Sequence, residues 1–426
     1  MIKRLLLASE SGLVLVIILM ALGLTVFGGS KPGAPVSIPL PSGSTVTTAE
    51  GVTTITLPGA ATEALELISR VRSIAAEATG GNVQIVAAGR SVGFDAGRNP
   101  RVTDGPDAAL MVRPMVNKFL DVENLVLVGG NASYFAIMAV GMTAVIIMGG
   151  IDLSVGSIYA LAAIAGAMAL RWANEAWGSG GGSGGSPMPL IASVPLGLAV
   201  CCGVGALAGA FNGAMIVGLR VHPFIITLGT MAVYRGSVFV ATRSETISEL
   251  PDSFTRGFFK LQVGGVYPVP TFLMVLVVLA GVFVLARTVL GRRAYAIGGN
   301  ETAARYAGIP VSRVKVIFYT LSGMLAGLSA CAYIGYYGAA APAAGDGYEL
   351  DVVAAAVIGG ASLSGGRGSA LGAVLGAIMV QLISNAMVIL EIDQSYQKIV
   401  MGSAIIAAVV IDQTKARLSK ARGAAG

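Results

Sequence analysis

Apolar runs of bilayer-spanning length recur along most of this chain, broken by short polar stretches, and they decide which solvent it can fold in. A helix needs about 20 apolar residues to cross a hydrocarbon core about 30 Å thick. One run ends near Phe27; others cover roughly 132–150, 154–170, 190–218, 223–240, 269–289, 315–337, 366–390 and 397–412. A further run, 351–361, is too short to cross unaided and predicts a half-helix or re-entrant piece buried among the others. Only 12% of residues are charged, about half the share usual in soluble domains. Backbone in lipid must satisfy its own hydrogen bonds, and the runs lack the in/out alternation of a barrel strand, so helices are expected. The expected fold is an all-α integral membrane protein of about ten transmembrane helices, broken or re-entrant segments included, with a small α+β insert outside the membrane after the first helix.

The 59 glycines fit that fold, because small residues let helices approach closely where lipid gives no hydrophobic drive for association. Gly205-Ala-Leu-Ala-Gly-Ala210 reads as such a contact. Cys201, Cys202 and Cys331 lie in apolar runs with no metal-ligand spacing and read as small buried hydrophobes.

Lys and Arg in short loops mark the cytoplasmic side. They concentrate at Arg287, Arg292, Arg293, Arg305, Arg313 and Lys315, and again at Lys415, Arg417, Lys420 and Arg422; Lys3 and Arg4 precede the first run. Both termini are therefore expected inside, with the even parity that ten crossings supply if the 351–361 piece and the glycines after it pass through. The net charge of +6 reads as topology and not as a nucleic-acid surface. Met1-Ile-Lys-Arg4 with its apolar run also fits a signal peptide, but the run is long and lacks an Ala-x-Ala site, which favours an uncleaved span.

The domain plan has a first helix (1–29), an extracytoplasmic insert (30–122), a transmembrane bundle (123–414) with a cytoplasmic loop (287–315), and a basic tail (415–426). Within the insert, residues 44–57 have β-formers around Glu50-Gly51, a hairpin signal. Residues 62–75 have helical spacing, with Thr62 as a candidate N-cap. Gly178-Ser-Gly-Gly-Gly-Ser-Gly-Gly-Ser186 is a flexible linker without chemistry.

An enzyme needs a constellation that is not written here. His222 is the sole histidine, there is no thiolate–histidine pairing, and no phosphate-cradling Gly-rich loop ends in Gly-Lys-Ser/Thr. His222 stands at a span boundary, so a loop histidine and a proton relay are both open, the first favoured. An ion-coupled carrier keeps ionisable groups at mid-membrane, and most of the runs hold no acid. A membrane scaffold whose external module does the work is a third class. The cytoplasmic loop carries helix punctuation: Asn300 as a cap, Glu301 at the positive end of the dipole, and Gly308-Ile-Pro310 as a stop. A docking element and a structural loop both fit. Asp152 or Ser154 can cap a helix start or line a polar path; Asn212, Thr227, Thr230 and Arg235 are polar groups in apolar runs and raise the same question.

Four segments carry a resemblance: Met148-Gly-Gly-Ile-Asp-Leu-Ser-Val-Gly156, Phe224-Ile-Ile-Thr-Leu-Gly-Thr-Met-Ala232, Gly299-Asn-Glu-Thr-Ala-Ala-Arg305, and Val357-Ile-Gly-Gly-Ala-Ser-Leu-Ser-Gly-Gly-Arg-Gly368. In this order, over roughly 117–412, they resemble the permease subunit of ribose/xylose-type monosaccharide ABC importers. The resemblance implies a bacterial inner-membrane subunit paired with a second permease, identical or not, docked on two cytoplasmic ATPase subunits and fed by a periplasmic sugar-binding protein. This chain would bind no cofactor; ATP and Mg would sit on the ATPases. Gly299, Asn300, Glu301, Ala304, Arg305 and Gly308 would couple to the ATPase, and Asp152, Ser154, Asn212, Thr227, Thr230, Arg235, Ser362 and Ser364 become candidates for the path or its gate. A permease for another small polar solute, such as a branched-chain amino acid, is the nearest rival. The chain departs from the family in its insert of about ninety residues, for which a role in holding the binding protein is the working expectation.

Overall fold

The structure is a computed structural model. It describes residues 9–178, 188–264, 266–393 and 395–403, with 406, 407 and 410, except for short breaks at 33–35, 41–43, 50–51, 58–60, 73–75, 78–82, 88–89, 96–100, 104–108 and 113–114. The basic tail, the Gly/Ser linker and the signal at Lys3 and Arg4 lie outside the described residues. Two units emerge: Leu22–Leu125, and Met1–Ala21 with Val126–Gly426.

The smaller unit is built on three sheets. β3 (Thr45–Ala49) and β4 (Val52–Thr56) pair antiparallel, with Ala49 opposite Val52, so the Thr/Val-rich stretch forms the hairpin its alternation suggests. α2 (Ala61–Arg72) starts one residue ahead of Thr62, which places Thr62 inside the first turn and not at the cap. Beyond it, β6 (Val83–Ala87) lies parallel to β4, and β7 (Arg90–Asp95) and β5 (Ala76–Glu77) complete a sheet ordered β3-β4-β6-β7-β5. β2 (Val36–Pro39), β9 (Ala109–Val112) and β8 (Arg101–Thr103) form a second sheet, and β1 (Ser30–Pro32) pairs with β10 (Met115–Asn117). Ile55, Val83, Ile85, Phe94 and Leu110 are fully buried with Leu67 and Val71 of α2. Lys31 meets Asp121 at 2.6 Å across the base of β1 and β10.

The larger unit is helical. Among the described residues seven helices are long and apolar enough to cross a membrane. They are α3 (Val122–Ile147), α4 (Val155–Gly178), α5 (Leu190–Leu219), α6 (Pro223–Thr242), α7 (Pro268–Arg287), α10 (Val311–Tyr337) and α12 (Ala370–Ile389). α1 (Ser9–Phe27) holds a shorter apolar stretch from Gly12. The final run, 397–412, is helical where described, up to 403. α11 (Tyr348–Ile358) has 11 residues, about 16 Å of axis and half a hydrocarbon core.

α5 and α10 form the central seam, with α4 packed on both. The seam is a glycine contact: a Cβ on Gly205 would overlap the Gly323 carbonyl, one on Gly209 the Tyr319 carbonyl, and one on Gly327 the Cys201 carbonyl. Glycines four residues apart on α5 remove the side-chain layer that would hold the axes apart. Cys201 and Cys331 are buried in this seam. In contrast, α6 and α7 turn Ile225, Val233, Val240, Phe272, Leu279 and Phe283 outward. A water-facing helix would not carry such a face, whereas one against lipid or a second membrane subunit does.

Candidate functional site

Segment 287–315 folds as two short helices meeting at one residue, followed by the first turn of α10. α8 (Val289–Gly299) is capped by Thr288, whose hydroxyl accepts from the Gly291 N–H at 3.2 Å. α9 (Glu301–Tyr306) is capped by Asn300, whose Oδ1 accepts from the Ala303 N–H at 2.9 Å. Asn300 has extended backbone, and its own N–H reaches the Ala296 carbonyl at 3.1 Å, so the same residue closes one helix and opens the next. Glu301 sits in the first turn, where negative charge suits the helix dipole. Its two carboxylate oxygens take Arg305 at 3.0 Å and Lys315 at 2.7 Å. Burial pushes the Glu301 carboxyl up, but the hydrogen bonds and charges of Lys315 and Arg305 outweigh it and hold the group below the usual glutamate range. Gly308 ends the helix in the left-handed region at φ 79°, which a residue with a Cβ rarely adopts.

Within this set Asn300, Arg305, Gly299 and Gly308 face outward and Glu301 is half-buried. Ala304 differs from the expected docking face: at 4% exposure it seats α9 on the bundle. The outward face carries Thr302, Ala303 and Tyr306, the last 87% exposed.

Three of the four motif segments converge. The Gly366 N–H donates to the Ile147 carbonyl at 2.8 Å, at the end of α3. The Tyr295 hydroxyl on α8 donates to the Gly368 carbonyl at 2.7 Å. A Cβ on Gly298 would overlap the Ile147 carbonyl, and one on Gly365 would stand 2.8 Å from the Gly298 oxygen and 3.2 Å from the Gly149 nitrogen. Gly365 and Gly366 have φ 83° and 75°. Glycine is needed here twice over, for the left-handed turn and for backbone-to-backbone contact. Ser362 is buried and its carbonyl accepts the Gly365 N–H at 2.9 Å; Ser364 is exposed. The 359–368 segment is thus a fastened turn joining α8 to the 148–152 segment.

Beyond Gly150 lies a buried polar cluster. Asp152 Oδ1 accepts from the Ser154 N–H at 3.0 Å and the Ser154 hydroxyl at 2.6 Å. Asn212 Nδ2 donates to Ser154 Oγ at 2.7 Å, and the Tyr234 hydroxyl donates to Asn212 Oδ1 at 3.3 Å. Thr227 donates weakly to the Ile151 carbonyl at 3.4 Å, and Thr230 to the Thr227 carbonyl at 3.3 Å. Asn212 lies seven residues before the end of α5, about 10 Å in along the axis. Asp152 Oδ2 and the Tyr319 hydroxyl are buried with no hydrogen-bond partner among the described residues. The Tyr319 oxygen would stand 2.6 Å from a Cβ on Gly150, which puts this hydroxyl against the 148–152 segment. A cavity of about 200 Å³ leads there from Glu301 and Lys315, past His222 and Pro223.

Arg235 stands apart from this cluster. Its guanidinium donates to the Pro342 and Ala344 carbonyls at 3.1 and 2.7 Å, holding the segment before α11. His222 caps α6, its Nδ1 accepting the Phe224 N–H at 3.3 Å. Sequence reasoning missed Tyr234, Tyr319 and Glu349; the Glu349 carboxylate sits 2.6 Å from where a Cβ of Gly156 would be, at the start of α4. A phenol in an apolar run needs a partner just as a threonine does, and that signal was available for both tyrosines. Among the described residues no group of His, Cys, Asp and Glu is placed to hold a metal ion.

Residues 124–409 match the family described as branched-chain amino acid transport system, permease component. The ribose import permease protein RbsC of Escherichia coli K12 is 37% identical over 309 residues, 72% of this chain and 90% of that one. RbsC of Bacillus subtilis 168 is 39% identical over 306 residues, 70% and 87% of the two chains. The chain belongs to this permease family. The D-allose transport system permease protein AlsC of E. coli K12 is 35% identical to the permease over 295 residues, 69% of this chain and 85% of AlsC. No solved structure matches. The permease is accordingly a multi-pass helical membrane protein, and its matched stretch excludes most of the β-rich unit.

Proposed function

We propose that this permease is the membrane-spanning subunit of an ATP-driven monosaccharide importer. Its ribose and allose relatives support the substrate class, and the Asp152–Ser154–Asn212 cluster supplies hydroxyl, amide and carboxylate groups of the kind that bind sugar hydroxyls. Ten crossings, both termini in the cytoplasm and the smaller unit outside complete the topology in the bacterial inner membrane. A second permease, identical or not, two cytoplasmic ATPase subunits carrying ATP and Mg, and a periplasmic sugar-binding protein make up the transporter.

The single observation that carries the reading is the joint between α8–α9 and the Gly149–Asp152 segment, made through Gly298, Gly365 and Gly366. A displacement of α9 by an ATPase docked on Thr302, Ala303 and Tyr306 reaches the polar cluster through backbone. The chain itself hydrolyses nothing; Asn300, Glu301, Arg305 and Gly308 shape the docked helix. Proteoliposome uptake of labelled monosaccharides, with and without the ATPase and ATP, tests this. Transport only with both supports it; transport by the chain alone under an ion gradient overturns it. The family description mentions branched-chain amino acids, so leucine and isoleucine belong in the same assay, and their uptake in place of sugar overturns the substrate class.

A further inference from the structure

Outside the buried cluster, a larger cavity of about 470 Å³ opens where the α5–α6 turn faces the start of α10. Its polar lining is Arg220, His222, Glu301, Arg305, Ser312 and Lys315. The balance is lopsided. Glu301 is the sole acid of that lining, and both its oxygens are occupied by Arg305 and Lys315. The side chains of Arg220 and Ser312 have no hydrogen bond or ion pair to any described residue. His222 uses Nδ1 as an acceptor for the Phe224 N–H, which leaves Nε2 as the ring's donor. The first turn of α10 has no side-chain cap, so its positive end meets the same space. Three cations, two hydroxyl or imidazole donors and a helix start, set against one neutralised carboxylate, make a donor-rich pocket whose single acid is already occupied.

We infer that this cavity binds a phosphate group, carried either by a cytosolic phosphorylated small molecule or by an anionic lipid headgroup. Arg220 supplies a planar two-pronged donor and Ser312 a hydroxyl, the combination that fits phosphate oxygens. The volume exceeds what a bare phosphate fills, leaving room for the group that bears it. Arg220 hangs from the α5–α6 turn while Lys315 and Arg305 belong to α10 and α9, so a bound phosphate fastens the coupling helix to α5. Occupied pockets therefore hold α9 still and lower ATP-driven uptake. The inference rests on the proposed function for the cytoplasmic placement of this face, and its binding arm does not depend on transport.

The test uses the transporter assembled with its ATPase in nanodiscs of phosphatidylcholine alone or with added phosphatidylglycerol. Radiolabelled inorganic phosphate and a labelled hexose phosphate are titrated in each. Arg220 is left-handed, at φ 56°, so Arg220→Asn removes the charge while keeping a residue that accepts this backbone. Saturable binding in the phosphatidylcholine discs, weakened about tenfold or more by R220N and several-fold by S312A, supports a soluble ligand. Binding blocked by phosphatidylglycerol, together with a thermal stabilisation by that lipid which R220N abolishes, supports the headgroup. Sugar uptake by R220N without added phosphate is expected to equal that of the unaltered protein. If neither labelled phosphate nor the anionic lipid binds, or if R220N binds both unchanged, the inference is overturned. A wild-type complex that binds phosphate but moves no sugar would sink the proposed function and leave this site standing.

Discussion

Asn212 joins two hydroxyls, donating to Ser154 and accepting from Tyr234. Asn212→Ala removes one hydrogen bond from each, while Ser154 keeps Asp152 at 2.6 Å and Tyr234 keeps the Ala208 carbonyl at 3.1 Å. A lost hydrogen bond of this kind costs about 0.5–1.5 kcal/mol. The expected result is a lower unfolding temperature in detergent, and unchanged stability would mean the cluster is solvated by another route. Glu301 gives a pH expectation. Its carboxyl lies below the usual value when folded, so the two ion pairs contribute in full above the unfolded value of about 4.3 and fade as pH falls through the folded one. Amide exchange protection of α9 should therefore hold from neutral pH down to the unfolded carboxyl value and fall only below it, once the intrinsic rate change is divided out. Glu301→Gln should remove that step. Because the Glu301 side chain is 41% exposed, the effect is local to α9 and small for the whole protein.

Among the elements, the α5–α10 seam is the most sensitive to size. Gly205→Ala and Gly327→Ala each put a methyl on facing backbone, and overpacking of this kind costs about 1–3 kcal/mol. Gly218, on the same helix, has nothing within 4 Å of an added Cβ. Gly218→Ala should be neutral or stabilising by up to about 1 kcal/mol, and the contrast in thermal unfolding separates seam packing from helix propensity. The seam was legible in sequence because Gly205 and Gly209 stand one turn apart in an apolar run. The caps at Asn300 and the ending at Gly308 were legible for the same reason: local punctuation obeys local rules. Ala304 was not, since which face of a six-residue helix turns inward depends on Ile309 and the α10 start, not on its own residues. The junction of Gly149, Gly298 and Gly365 was hidden for a stronger reason. Its parts lie far apart in the chain, and backbone contact leaves no complementary side chains to read.

At the scale of the whole molecule, the β-rich unit is what sets this permease apart from the length of chain its family shares. It has its own core around Ile55, Ile85 and Phe94, so its removal need not disturb the bundle. If it holds the binding protein, deleting residues 35–112 lowers binding-protein-dependent uptake while leaving basal ATPase activity intact; undiminished uptake would count against that role. The helical signal for the bundle came through in sequence wherever a run exceeded a bilayer's width, and α11 was recognisable as the short one. What positions Arg235 against the Pro342 and Ala344 carbonyls was not, because it depends on where a half-length helix stops in depth. Where the three glycine segments touch, peptide planes lie against peptide planes with no pliable side chains between. Such a joint has little slack: a push on one strand of it arrives at the others nearly undiminished, as through a dry stone contact and not through a cushion.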